Sequence, residues 1–420
     1  MRSISYPPEP TDLPKLHSAA FTFPAIDNHA HALLRIDNRD SMPFEGLISE
    51  AAGDALTKDS VHTLACYRAT HQLAELLGLP AGSSWDDVKV KRSELAYLDL
   101  CKLCFEPVNI QCILIDDGLG ARDIVYDIPW HDHFTRSQSW RVVRIEAVAE
   151  EVLEILFKPF DSAPADNLDL VKLLALFVNS LTGKLTTSAT DTQVVAYKSV
   201  VCYRTGLAVS ATSYNNGGDP ELLDSFKRVY ETYRLHGKLR VEDKALNDYV
   251  VCTALDIGGR FGKPVQFHTG LGDNDIDLVL SSPAYLQSII KTYPDTTFIL
   301  LHSSYPYTRE AGYLTSVYSN VYLDFGEIFP FVSGQGQRSI IRQILELAPT
   351  NKILWSTDGH FWPESYYLGT IQARQALYEV LSENVRSQEL TEAEAVTIVE
   401  NALFYNANRA YKLGLKPVQR

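Results

Sequence analysis

Long hydrophobic runs are missing from this 420-residue sequence, and none approaches the length of a membrane span. A surplus of positive charge is missing too. Lys and Arg number 38 against 52 Asp and Glu, a net charge of −14, which argues against nucleic acid or an anionic membrane as a partner. The stretch 1–24 is polar and rich in proline, without the apolar core of a signal peptide. No glycine-rich dinucleotide or phosphate loop follows the first strand-like segment, which weakens a nucleotide-binding reading. Cysteine is sparse: six residues are scattered, and only Cys101 and Cys104 fall at C-x-x-C spacing. They sit in a helical-looking apolar segment with no second pair to complete a zinc site. Buried thiols in a reducing cytosol are expected.

What is present is a large apolar fraction, 45%, enough for a sizeable core. The sequence is organised around Ile26-Asp27-Asn28-His29-Ala30-His31, an apolar approach running into two histidines one residue apart. On an extended strand, residues i and i+2 share a side. Two imidazoles so placed can hold one divalent ion. A lone His-x-His is common, and the pair gains its weight from the strand ends further along the chain. Residues 41–106 read as helices and form an insertion after the first strand. Strand-like segments then alternate with helical ones. They cover 109–115 (ending in Asp116-Asp117), 140–145 (Glu146), 197–203 (Arg204), 264–267 (His268), 297–301 (His302), 321–325 (near Glu327) and 352–356 (Asp358). With the first, these make eight strands interleaved with helices. That pattern predicts an α/β chain folded as a (β/α)8 TIM barrel over 25–420, with the helical insertion at 41–106 and an N-terminal extension at 1–24. An open doubly wound sheet is the alternative that periodicity leaves standing.

In a (β/α)8 barrel the C-terminal strand ends meet on the catalytic face. Four histidines and an aspartate at the first, fifth, sixth and eighth ends make the pattern of a metal-dependent hydrolase. His29, His31 and His268 supply neutral imidazoles and Asp358 a carboxylate, a ligand set for one divalent ion, expected to be zinc, with manganese or iron as alternatives. Asp358 is the natural base. His302 is placed either to polarise a carbonyl or to help hold the ion. Arg204 suits a substrate carboxylate or a salt bridge to Glu146. Glu146 and Glu327 are candidates for orienting a metal-bound histidine, and Glu146 also for lining the substrate site. Lys198, near the start of a fourth strand spanning 197–203, would point to the wrong end of the barrel, and one ion is preferred. Glu364, six residues past Asp358, is expected to matter far less.

The order His-x-His, His, His, Asp resembles that of the amidohydrolase superfamily. Two ions bridged by a modified Lys198 are the alternative that this resemblance would imply. More closely, the sequence resembles the amidohydrolase half of FluG-type proteins at Ile115 to Leu119, Arg144 to Glu150, Tyr197 to Ser199 and Tyr203 to Leu207. The same holds at His268 to Asp273 with Asp275, and at His302 to Glu310, where Tyr305 becomes a substrate-binding candidate. The resemblance runs from about Asp27 to the C-terminus. In FluG-type proteins a glutamine-synthetase-like domain follows, and this sequence is expected to lack it. The resemblance implies metal-dependent hydrolysis of a C–N bond in a small molecule, with a γ-glutamyl-type amide as one candidate. The alternative is non-oxidative decarboxylation or another lyase reaction of a small carboxylic acid, and a third reading is a barrel that only binds. A small-molecule substrate, a homo-oligomer and a cytoplasmic location complete the expectations.

Overall fold

The computed structural model describes residues 12–160, 163–165, 168–215 and 220–418. Eight strands form one sheet: β1 (Ala25–Ala30), β2 (Ile110–Asp116), β3 (Trp140–Arg144), β4 (Val194–Ser199), β5 (Val265–Phe267), β6 (Phe298–Leu300), β7 (Val321–Asp324) and β8 (Ile353–Leu354). Their order in the sheet is their order in the sequence, with helices between them, and the fold is the (β/α)8 barrel expected. Both faces of β1 and β2 are buried along their whole length, as parallel strands covered by helices require. The sheet closes on itself at β1. The Asn28 amide donates to the Trp355 carbonyl at 3.3 Å, the Asp358 amide to His29 O at 3.1 Å and the His31 amide to Gly359 O at 2.7 Å.

The chain divides into two compact units. The first comprises Met1–Trp140, Gly272–Asn274 and Leu323–Arg420, and the second Arg141–Leu271 and Asp275–Tyr322. The first carries β1, β2, β8 and the end of β7. Of the segment 1–24, residues 1–11 lie outside the described residues, and Pro14–Thr22 is a helix. The long helix Pro363–Arg386 is buried along most of its length. Its Arg374 guanidinium donates to the carbonyls of Ala20, Phe23 and Val108, just before β1 and β2. Two nitrogens of a buried charge thereby find three carbonyl partners.

Residues 41–106 are mostly helical. The helix Leu64–Leu77 starts under the Thr63 side chain, which accepts the Cys66 amide, and stops at Gly78, whose φ of 73° makes a left-handed cap. The C-terminal part of the segment forms two helices, Trp85–Glu94 and Tyr97–Phe105. Leu95 and Ala96 are extended between them, and a Ser84–Asp87 capping box opens the first. This segment packs on the chain after β8: Phe44 lies edge-on to Trp362 at 6.0 Å, and Arg92 reaches Glu364. All six cysteines are buried and free.

The second unit carries β4, β5, β6 and most of β3. Here the fourth strand is shorter and earlier than expected. It ends at Ser199, and the apolar run Val201-Cys202-Tyr203 that reads as its continuation is a short helix, Val201–Arg204. The third strand likewise stops at Arg144, and Glu146 lies in the first turn of the helix Ile145–Phe157.

Candidate metal centre

In the first unit, β1 and the turn after β8 bring three expected residues together. His29 Nε2 lies 3.1 Å and His31 Nε2 3.4 Å from the same atom, Asp358 Oδ1. His29 and Asp358 stand on neighbouring segments because the backbone bonds closing the sheet set that register. The His31 ring is fixed from behind: its Nδ1 donates to the Asp116 carbonyl at 3.3 Å, which leaves Nε2 as the lone-pair nitrogen. Asp116, at the end of β2, thus orients His31, while its own Oδ1 accepts the Gly118 amide.

Asp358 sits at a φ of 51°, in the left-handed region. A non-glycine residue persists there only where its surroundings over-determine it. The Asp358 amide is bound to His29 O, the Gly359 amide donates to Thr357 Oγ1 at 2.8 Å, and His360 Nδ1 donates to the Asp358 carbonyl at 2.9 Å. Beneath this turn, Asp27 Oδ1 accepts the Thr357 amide at 2.9 Å and its Oδ2 accepts the Thr357 hydroxyl. Burial pushes the Asp27 carboxyl up to about 8 against these bonds, with Asp324 and Asp358 adding repulsion. Next to it, Asn28 Nδ2 donates to Asp324 Oδ1 at 2.8 Å, and Tyr411 donates to Asn28 Oδ1 at 2.9 Å. Asp324 also accepts from Ser356 and from the Gly326 amide. Glu327 is buried, at a φ of 59°.

Residues 27, 357, 360 and 50 were not among the expected site residues. Burial of the Glu50 carboxyl, opposed by His360 and reinforced by Asp358 and Asp273, pushes it up to about 7, which places Glu50 of the 41–106 segment in the same electrostatic neighbourhood as Asp358. Asp27 and His360 flank the motifs themselves, in Asp27-Asn28-His29 and Asp358-Gly359-His360, so a signal existed for both. Nothing in the helical pattern around Glu50 marks it.

The second unit gathers His268 and His302, with ring centroids 4.3 Å apart and Tyr203 at 4.4 Å on His268. His268 Nε2 donates to the Leu271 carbonyl at 2.8 Å, leaving Nδ1 as the lone-pair nitrogen. His302, Ser303 and Ser304 have φ values of 69°, 54° and 49°. Three consecutive left-handed residues are held by Thr269, whose hydroxyl donates to Leu301 O at 2.6 Å and contacts Ser304 Oγ at 2.7 Å. Tyr305 contributes backbone here: its carbonyl accepts the Leu271 amide at 2.7 Å, and its side chain is 38% exposed.

Glu146 is buried and accepts the Ser199 hydroxyl at 2.7 Å and the Val200 amide at 3.1 Å; burial pushes its carboxyl up. Arg204 pairs with Glu150 at 3.4 Å, one helical turn beyond the Glu146 that the sequence suggested. Lys198 overturns its expectation. It is the penultimate residue of β4, beside the strand's C-terminal end, and is 1% exposed. The Tyr197 hydroxyl donates to Leu185 O in the helix layer, so Lys198, next along the strand, faces the opposite side of the sheet. The strand-end argument against a bridging role falls with the shorter strand.

The donor set fits a divalent ion. His29, His31 and Asp358 each offer a ligand atom, and these atoms lie within 4.8 Å of one another. Two neutral imidazoles and a carboxylate are the chemistry of zinc and related ions.

Comparison with known proteins agrees. The sequence model of the family described as Amidohydrolase matches residues 220–413. Protein fluG of Emericella nidulans is 43% identical over 411 residues, which are 94% of this chain and 46% of that protein. The chain spans about half the length of the curated relative it matches. A candidate metal-dependent hydrolase from Lactobacillus casei ATCC 334 superposes with a TM-score of 0.77 at 22% identity, covering 95% of this chain and 97% of that one. A uronate isomerase from Bacillus halodurans C-125 gives 0.62 at 13% identity over 95% of each chain. A uronate isomerase from Thermotoga maritima gives 0.63 at 13%, over 95% of this chain and 97% of that one. These structures share the fold.

Proposed function

We propose that this chain, which belongs to the amidohydrolase superfamily, hydrolyses a C–N bond of a small molecule, with a γ-glutamyl-type amide as the leading substrate class. The observation that carries the reading is the convergence of His29 Nε2 and His31 Nε2 on Asp358 Oδ1. A divalent ion held there, zinc by preference, would supply Lewis acidity towards a water and a carbonyl. His29, His31 and Asp358 would hold it, with His268 as a further ligand by the resemblance to the superfamily.

The remaining work falls to the protein. Asp358 takes the proton of the attacking water on its carboxylate and returns it to the departing nitrogen, which leaves as a neutral amine. Asp116, through the His31 Nδ1 bond, keeps His31 in the tautomer that presents Nε2. His302 is assigned the carbonyl oxygen, and Arg204 a carboxylate of the substrate, for which its guanidinium plane is suited. Glu146 and Tyr305 are assigned to the substrate surroundings, and the γ-glutamyl preference rests on the resemblance to FluG-type proteins, in which a glutamine-synthetase-like domain follows.

The test is a panel of small amides and aromatic acids offered to the zinc-replete protein, with release of amine or ammonia and of carbon dioxide followed in parallel. Amine release from an amide, lost with Asp358→Asn, is expected. Carbon dioxide release from an acid, with every amide left intact, would overturn the reading in favour of a lyase.

A further inference from the structure

The Asp358 carboxylate is carried by a backbone that does not hold itself. It follows a two-residue strand and lies at a left-handed φ of 51°. The carboxylate direction therefore depends on what pins the residues on either side. On the N-terminal side that is Thr357, 2% exposed, and under Thr357 is Asp27, fully buried. The two side chains make a continuous path. Asp27 Oδ1 takes the Thr357 amide and Asp27 Oδ2 takes the Thr357 hydroxyl, while the same hydroxyl oxygen accepts the Gly359 amide on the far side of Asp358. One hydroxyl thus staples both flanks of Asp358, and one carboxylate anchors the staple. Asp27 also lies on β1, the strand that presents His29 from the same stretch of backbone. The staple therefore locks the turn bearing Asp358 to the strand bearing His29.

We infer that Asp27 and Thr357 are positioning residues, which set the Asp358 carboxylate against the two imidazoles so that the three donors can close on one ion; this rests on the proposed metal-dependent reaction. Neither residue contacts the ion or the substrate in this scheme. The Asp27 carboxyl is used for its two oxygens at fixed spacing, one on the Thr357 amide and one on the Thr357 hydroxyl, which a backbone carbonyl could not provide. Thr357 is used for a hydroxyl that donates to Asp27 and accepts from Gly359 at once.

The experiment measures zinc affinity of the full chain by competition with a chromophoric chelator, beginning from metal-stripped protein. Melting of the metal-free form is recorded alongside. Thr357→Val removes the staple and keeps the shape. Thr357→Ser keeps the hydroxyl. Outer partners of metal ligands typically govern about 10–100-fold in affinity. Thr357→Val is expected to lose zinc affinity by about that factor while Thr357→Ser binds as the unaltered protein does. If Thr357→Val binds zinc as tightly as the unaltered protein, or if Ser and Val weaken it equally, the inference is overturned. Should Thr357→Val fail to fold, Asp27→Asn decides: it retains one acceptor and loses the second, so weakened zinc binding supports the staple and unchanged binding overturns it. If the unaltered, folded protein takes up no zinc, cobalt or manganese, the functional reading itself falls and this inference with it.

Discussion

Arg92 Nε and Glu364 Oε1 lie 2.6 Å apart inside the protein, with side chains 4% and 1% exposed. The contact ties the helix Trp85–Glu94 to the first turn of Pro363–Arg386, the helix that follows Asp358. The guanidinium also stacks over Phe44 at 4.2 Å. Removing one member of a buried ion pair leaves the other uncompensated, which costs about 3–5 kcal/mol. Arg92→Ala should therefore destabilise the fold by that order in urea denaturation, and Glu364→Gln by a lesser but clear amount. Glu364, expected to matter far less than Asp358 for turnover, thus has a place in the packing. An unchanged midpoint for both variants would show that the pair contributes little.

Asp358→Asn should abolish turnover while the chain stays folded. General acid–base assistance contributes about 10²–10⁴-fold, and a charged ligand is lost as well. Turnover and bound metal are to be measured together on the substrate that the panel identifies. Retention of more than about a tenth of the activity with metal bound would move the base role to His302.

Metal content should come close to one equivalent of a divalent ion per chain. The placement of Lys198 makes a second ion the sharper alternative, because the lysine faces away from the helix layer at the C-terminal end of β4. Elemental analysis and intact mass decide it. Two ions per chain together with a carbon dioxide adduct on Lys198 would replace the one-ion reading, and Lys198→Met should leave the single ion in place.

Acid should weaken the fold through His131. Its ring is fully buried, Nε2 accepts the Leu33 amide at 3.1 Å, and Nδ1 donates to Asp127 O at 3.0 Å. Burial pushes it down to about 4, against an ordinary value of about 6.5. With the folded-state pKa depressed, the unfolded chain takes up the proton first as pH falls. The stability His131 contributes is whole above about pH 6.5 and is lost progressively towards about pH 4. His131→Gln, which can keep both bonds without titrating, should flatten that part of the stability profile in urea titrations. Identical profiles for the two proteins would remove His131 from the acid response.

Gly270→Ala should destabilise the protein by more than about 1 kcal/mol. Gly270 has a φ of 79°, and an added Cβ would stand 2.4 Å from the Tyr305 carbonyl oxygen and 2.5 Å from the Ser304 carbonyl carbon. The loop it belongs to supplies Leu271, the partner of His268 Nε2. Thermal melting reads the effect directly, and a melting point equal to that of the unaltered chain would contradict the clash.

The eight strands and the polar residues at their ends were readable because buried parallel strands are short apolar runs, and each run stops where a polar side chain is needed. His29, His31 and Asp358 were found that way. The fourth strand was misjudged because Val200-Val201-Cys202-Tyr203 is as apolar as the strand before it, and periodicity cannot separate a buried strand from one turn of buried helix. Arg204 was assigned either a substrate carboxylate or a salt bridge to Glu146, and it pairs with Glu150, one turn further along the helix Ile145–Phe157. Glu50, Arg92 and Glu364 owe their roles to packing between distant segments, and sequence spacing carries no trace of that.

Asp27 and Thr357 are 330 residues apart in the chain and in contact in the fold. Contacts of such separation are late and slow to form, since the entropy of closing the loop must be met before the contact repays it. His29 is made on the first strand, yet the carboxylate it faces arrives only when the eighth strand has been added. Until then the first strand presents two imidazoles with no complete ligand set. Capture of an ion at this place would consequently favour chains whose first and eighth strands have already found each other.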